Sequence, residues 1–277
     1  PMVTALALSR MVAARRNSGT EPLTFGMTFP FSTHNYQLRF WMAAGGVDPD
    51  EDVHMVVLPP PYMVDSLASG QVDAFCVGAP WNSVAVDLGV GHILHFVSDI
   101  LVRAAEKVLA VRQNWSEKNP QVLAALIRAA SRAAEFIEQP ENRAEAARIL
   151  ARPERIGVDA DVIQRTLDGR LKISPDGTMR ESSRYLLVGR EGAARPDAVQ
   201  AAWLYAQMVR WGQATISPEA LGTAKAVFRP DLYDAALGHD GRATDASDAI
   251  GAFAGPAFDP NDIAGHLAAF KIGRRKS

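Results

Sequence analysis

Leu23-Thr24-Phe25-Gly26-Met27-Thr28-Phe29, with Ser32-Thr33-His34 close behind it, is the stretch on which the fold turns. The first seven residues have strand composition. Serine and threonine then offer N-cap oxygens, and residues 35–44 read as a helix that stops at Gly45-Gly46. The same order repeats downstream. Residues 53–58 read as a second strand running into Pro59-Pro60-Pro61, and a helix over 62–68 follows, with Gly70 as its stop. Residues 73–78 read as a third short strand, and Pro80 suits the first turn of the next helix. Residues 108–111 read as a fourth strand. Strands and helices alternating at this spacing predict an α/β fold with a parallel sheet.

The second half reads as mostly helical. Asn119-Pro120 is a cap with a first-turn proline, and Val122, Leu126, Ala130, Ala133 and Ile137 then mark one helical face up to Pro140. Pro196 opens a helix with Val199, Trp203, Ala206 and Val209 inward and Gly212 near its end. Ser217-Pro218-Glu219 starts another, and residues 259–270 read as a last amphipathic helix. Residues 174–195 and 238–256 have loop composition. There is no internal repeat.

Composition narrows the function. The chain has 277 residues, 48% apolar and 22% charged, so it can bury a full core. Lys plus Arg is 29 against 31 Asp plus Glu, a formal charge of −2, which excludes a strongly basic surface for coating nucleic acid. The single cysteine, Cys76, excludes an internal disulfide framework and a cysteine-based zinc cluster; inside an apolar strand it reads as a small hydrophobe. No run of eighteen apolar residues is present. Pro1-Met2-Val3-Thr4-Ala5-Leu6 lacks the flanks of a signal peptide, and the basic tail 271–277 reads as a solvated end.

No catalytic signature stands out: neither His-Glu-x-x-His nor Gly-x-Ser-x-Gly, nor a glycine-rich nucleotide loop. His92 and His95 are three apart without a clear third ligand and read as surface or strand-end residues. The chain therefore reads as a binder rather than an enzyme, with no cofactor and no metal.

One pattern does point to a ligand. Three times a strand ends at a helix start, at Ser32-Thr33-His34, Pro59-Pro60-Pro61 and Gly78-Ala79-Pro80. In a parallel sheet those ends share one edge, where open α/β sheets bind ligands. Helix starts bring unpaired N–H groups and partial positive charge, which suit an anion. Gly78 lets a ligand approach the backbone, His34 donates a hydrogen bond in either protonation state, and Lys107 adds a full positive charge. Singly, glycine and proline at strand ends are turn punctuation and a lone lysine is a solvated charge. Together they describe an anion pocket.

From Thr33-His34-Asn35-Tyr36-Gln37-Leu38-Arg39-Phe40-Trp41 through Gly45-Gly46-Val47-Asp48-Pro49-Asp50, the chain resembles the nitrate-binding solute-binding proteins of ABC transporters. That family also includes the bicarbonate-binding protein and the cytoplasmic nitrate/nitrite sensors. Pro59-Pro60-Pro61-Tyr62-Met63-Val64, Asp73-Ala74-Phe75-Cys76-Val77-Gly78-Ala79-Pro80-Trp81-Asn82 and Glu106-Lys107-Val108-Leu109-Ala110-Val111-Arg112 carry the same resemblance. It implies a periplasmic-binding-protein-like (type II) two-lobed fold with the ligand in the cleft. It also implies nitrate contacts at the positions matching His34, Pro60, Gly78 and Lys107. The lysine implies nitrate or nitrite over bicarbonate, whose binder looks different there and uses calcium.

The resemblance is incomplete. The family's first lobe, with a tryptophan contact, and a later glutamine contact have no matching residues. Residues 3–8 look like the strand that leaves that lobe. The implied domains are a remnant of the exit strand and linker over 1–20, an α/β ligand-binding lobe over 21–115, and a helical region over 116–277. Ala79 stands where transport proteins usually carry glutamate. Two roles therefore stay open. One is the nitrate/nitrite-binding component of an ABC transport system, periplasmic if a signal precedes this chain. The other is a cytoplasmic sensor that sequesters an RNA-binding antiterminator. An enzyme on this architecture, like the pyrimidine-precursor synthases of thiamine metabolism, would need a cofactor lysine-plus-carboxylate or cysteine-rich motif that is not visible.

Overall fold

The computed structural model describes residues 3–239 and 250–273. In chain order its elements are α1 (Leu6–Ser18), β1 (Thr24–Met27), α2 (Thr33–Ala44), β2 (His54–Val57), α3 (Met63–Ala68), β3 (Ala74–Phe75), α4 (Trp81–Asp87), α5 (Val97–Ile100), α6 (Gln113–Lys118), α7 (Pro120–Glu138), α8 (Arg143–Leu150), α9 (Ala160–Asp168), β4 (Arg170–Lys172), β5 (Met179–Glu181), α10 (Ala198–Arg210), α11 (Pro218–Val227), α12 (Pro230–Leu237) and α13 (Ile263–Ala268).

The expected parallel sheet is present. Its order is β2-β1-β3, with β1 parallel to both neighbours; Met27 pairs with Val57, and Gly26 with both Val56 and Phe75. All three strands therefore end at the same edge. β1 is central and buries Phe25, Gly26 and Met27, as a strand covered on both faces must. Gly26 is selected by space: a side chain there would press on Met63 Sδ, Phe75 and Leu58.

The main core lies between α1, β1, α2 and α10. Leu8 and Val12, four apart on α1, pack with Phe40, Trp41 and Met42 of α2 and with Trp203 of α10. Phe40 meets Trp203, Phe253 and Phe270 at centroid distances of 6.3, 6.0 and 5.8 Å, a favourable range for tilted aromatic pairs. The Tyr36 hydroxyl donates to Gln213 Oε1 at 2.7 Å, tying α2 to the turn after α10. So the helical second half packs on the sheet's own core. As expected, Trp203, Ala206 and Val209 face inward.

Five expectations are corrected. Residues 3–8 form no exit strand: from Leu6 they enter α1, whose Leu, Ala, Arg and Met residues are strong helix formers with an apolar i, i+4 pair to bury. Residues 108–111 form no fourth strand. The three-stranded sheet offers them no neighbour, no backbone hydrogen bond engages residues 106–111 among the described residues, and Val108 and Leu109 are exposed. On α7 the face marked by Val122 and Leu126 is turned outward; Leu123, Ser131 and Ala134 are buried instead. Gly189 packs on this face, so near Ala134 that a methyl there would stand 3.2 Å from its Cβ. Residues 174–195 are not all loop, since β5 pairs antiparallel with β4. The last helix is shorter than residues 259–270 and begins after an Asp262 cap. Of the expected loop over 238–256, residues 240–249 lie outside the described residues, as do 274–277 of the basic tail.

Gly45 and Gly222 provide opposite tests of this packing. A methyl at Gly45 would stand 2.8 Å from Ala5 Cα, and Ala5 is fully buried, so α1 would have to move. Gly45→Ala is expected to cost about 1–3 kcal/mol. Gly222 lies inside α11 with open space around it, and Gly222→Ala is expected to stabilise by about 0.5–1 kcal/mol. Urea denaturation midpoints check both signs.

Candidate functional site

The strand ends bring the expected residues to one edge. β1 ends at Met27, the chain passes through Thr28 into the turn before α2, and His34 is the second residue of that helix. Ser32 caps α2: its hydroxyl accepts from the Asn35 N–H at 3.2 Å. The first-turn N–H groups of Thr33 and His34 have no acceptor within the helix and point out of its start. Pro60 opens a one-turn 3-10 helix after β2. Gly78 lies three residues past β3, just before α4.

Three of the four residues meet on one carboxylate. His34 is buried, and its Nε2 lies 3.3 Å from Glu106 Oε1. Lys107 Nζ donates to the same oxygen at 2.7 Å. Gly78 lies beneath it: a methyl there would collide with Glu106 Oε1 and come within 3.2 Å of Lys107 Nζ. A carboxylate only accepts, so Nε2 carries the imidazole hydrogen here, and Nδ1 faces the Thr28 hydroxyl at 3.3 Å. The Gly78 N–H has no hydrogen-bond acceptor among the described residues. Pro60 shares the edge, but no hydrogen bond or ion pair among the described residues joins it to His34, Gly78 or Lys107.

Among the described residues, the backbone of the segment that carries Glu106 and Lys107 is hydrogen-bonded only at its start. Thr33 Oγ1, on the first residue of α2, donates to the Ala105 carbonyl at 2.9 Å. Gln200 of α10 accepts from the Ala105 N–H at 3.2 Å and donates to the Arg103 carbonyl at 3.3 Å. These bonds place Glu106 over His34 and Gly78. Beyond them the Lys107 side chain is 78% exposed.

The electrostatics follow from that geometry. The His34 hydrogen bond, with Lys107 beside it, holds the Glu106 carboxyl at about 2 against partial burial, which acts the other way. Burial and the nearby Glu106 charge push the Cys76 thiol up to about 12, which removes it as a nucleophile at neutral pH. Burial also pushes the Tyr185 hydroxyl up to about 12 against a hydrogen bond with Asn82. Cys76 and Tyr185 thus both lie close enough to Glu106 to feel its charge. His92 is exposed and His95 packs on Trp41 at 5.6 Å, so those two are placed apart from the cluster.

Glu106 was in view in the sequence only as part of a matching block. An acid directly before the lysine expected to pair with an anion was the signal that it could take that place itself.

The NMT1-like family model matches residues 2–151, more than half of the chain. The chain belongs to the NMT1-like family. It is 31% identical over 268 residues to the nitrate/nitrite binding protein NrtA of Synechococcus elongatus, covering 95% of this chain and 60% of that protein. It is 34% identical over 256 residues to the nitrate import ATP-binding protein NrtC of a Synechocystis strain, covering 91% of this chain and 38% of that protein. The crystal structure of the periplasmic nitrate-binding protein NrtA from Synechocystis PCC 6803 superposes with a TM-score of 0.88 at 27% identity. That match covers 98% of this chain and 71% of the NrtA chain, so the expected fold class, an α/β periplasmic-binding-protein type with a parallel sheet, is correct. This NMT1-like chain thus spans about 60% of the length of one NrtA relative and less of NrtC. No helix among the described residues is long and apolar enough to cross a membrane.

The Glu106 contact makes a pH prediction. Its folded-state value, about 2, lies below the ordinary 4.5, so the ionised group stabilises the fold above about pH 4.5. That contribution fades as the pH falls from about 4.5 towards 2. The difference in urea midpoint between the native chain and Glu106→Gln is expected to stay level above pH 5 and to shrink below it. A difference unchanged down to pH 3 would contradict the contact.

Proposed function

We propose that the chain binds nitrate or nitrite at the edge of its parallel sheet, as the solute-binding component of an ABC-type transport system. The observation that carries this reading is the convergence of His34, Lys107 and Gly78 on a planar oxoanion, the Glu106 carboxylate. Nitrate is likewise planar, singly charged and furnished only with acceptor oxygens. An imidazole N–H, an ammonium and a backbone N–H from three separate segments can satisfy those oxygens in a fixed geometry. Pro60 supplies an apolar wall on the same edge. The names of the nitrate-binding relatives support the same ligand class.

The proposed mechanism has no covalent step. The anion is held by charge-assisted hydrogen bonds, and closure of an opposing wall over the cleft shields it from water, which strengthens each contact. A ligand that bridges two walls favours the closed form by its differential affinity for it. A membrane transport complex then reads the closed form.

Calorimetry with nitrate, nitrite and bicarbonate tests the assignment. His34→Ala is expected to weaken nitrate binding by about 1.5–3 kcal/mol, the range for a hydrogen bond to a charged group. Lys107→Ala is expected to weaken it less, because its side chain is largely exposed. Gly78→Ala is expected to abolish it, since the added methyl fills the space of the anion. Unchanged nitrate affinity in all three variants would overturn the site. Release of a co-purifying RNA-binding antiterminator on addition of nitrate would assign the chain to sensing instead of transport.

A further inference from the structure

We infer that Glu106 is a tethered occupant of the anion pocket, and that an incoming oxoanion binds by displacing its carboxylate from His34 and Lys107 and from the space above Gly78. The inference rests on the anion-site reading above but not on nitrate as the particular ligand.

The geometry leaves little room for any other arrangement. A single oxygen, Glu106 Oε1, is shared by His34 Nε2 at 3.3 Å and Lys107 Nζ at 2.7 Å. The same oxygen blocks the approach to Gly78, where it occupies the space of a methyl group. A free anion can reach the buried His34 N–H only where that oxygen now stands. Two anions side by side over one ammonium would repel each other in a half-buried site, so both cannot be held at once. The carboxylate must leave.

The chain is built so that it can. Ala105 is fixed through Thr33 and Gln200, but no backbone hydrogen bond engages residues 106–111 among the described residues. Lys107 follows Glu106 directly and is largely exposed, so it can keep its charge at the pocket while the acid turns towards solvent. The carboxylate is also fully ionised at neutral pH, held so by the same donors a ligand would use. Every incoming anion therefore competes with a covalently attached one. Glu106 thereby sets the concentration at which the site responds.

The test uses the full chain and its Glu106→Ala and Glu106→Gln variants, titrated calorimetrically with sodium formate and with sodium nitrate. Formate is the free counterpart of the tethered group. Both anions are expected to bind Glu106→Ala about tenfold or more tightly than the native chain. Glu106→Gln, which keeps the side-chain shape and removes the charge, is expected to shift affinity the same way. Tighter formate binding without any nitrate binding would support the tethered occupant and overturn nitrate as the ligand. Nitrate binding of equal strength in all three proteins would uphold nitrate and overturn the displacement. Weaker binding in both variants would show Glu106 to be a ligand contact and overturn the inference. No binding of either anion to any of the three would overturn both readings.

Discussion

The contact of His34 and Lys107 with a single carboxylate oxygen above Gly78 is the interaction on which the site depends. It draws together three stretches that lie far apart in the chain: the start of α2, the turn after β3 and the unpaired segment after Ala105. Each would be unremarkable alone. A buried imidazole needs a partner, an exposed lysine is free to wander, and a glycine after a strand is a turn. Their meeting brings one full charge and one imidazole N–H to a single oxygen, directly above a glycine backbone.

The parallel sheet makes that meeting possible. Because β1 is parallel to both β2 and β3, the chain leaves all three strands at the same edge, and the turns that follow are neighbours by construction. The core fixes the helices that carry the donors. Phe40, Trp41 and Met42 anchor α2 between α1 and α10, so His34 at its start cannot drift. Gln200 extends the same anchoring to Ala105 from α10. The second half of the chain is thus part of the positioning machinery.

Much of this was legible in the residues. Strand composition followed by capping residues located β1 and α2, and the repeated strand-to-helix junctions foretold the shared edge. Residues His34, Gly78 and Lys107 could be chosen from chemistry and do meet, whereas Pro60 shares only the edge. What was not legible depended on partners. Residues 108–111 have strand composition, but a strand exists only where a neighbour offers backbone groups, and the sheet offers none. Residues 3–8 are apolar enough for a strand, yet their helix formers follow local preference once Leu8 and Val12 can reach the core. The buried face of α7 packs against Gly189, a partner that periodicity does not encode. Glu106 was hidden for another reason: an acid beside a lysine reads as a solvated pair until a histidine from a distant segment is seen to share it.

A crystal structure of the full chain grown in saturating nitrate would test the site most directly. The expected result is planar density within hydrogen-bond reach of His34 Nε2, the Gly78 N–H and Lys107 Nζ, with the Glu106 side chain turned away. Nitrate lodged elsewhere, or Glu106 still resting on His34 and Lys107 with no anion beside them, would contradict it.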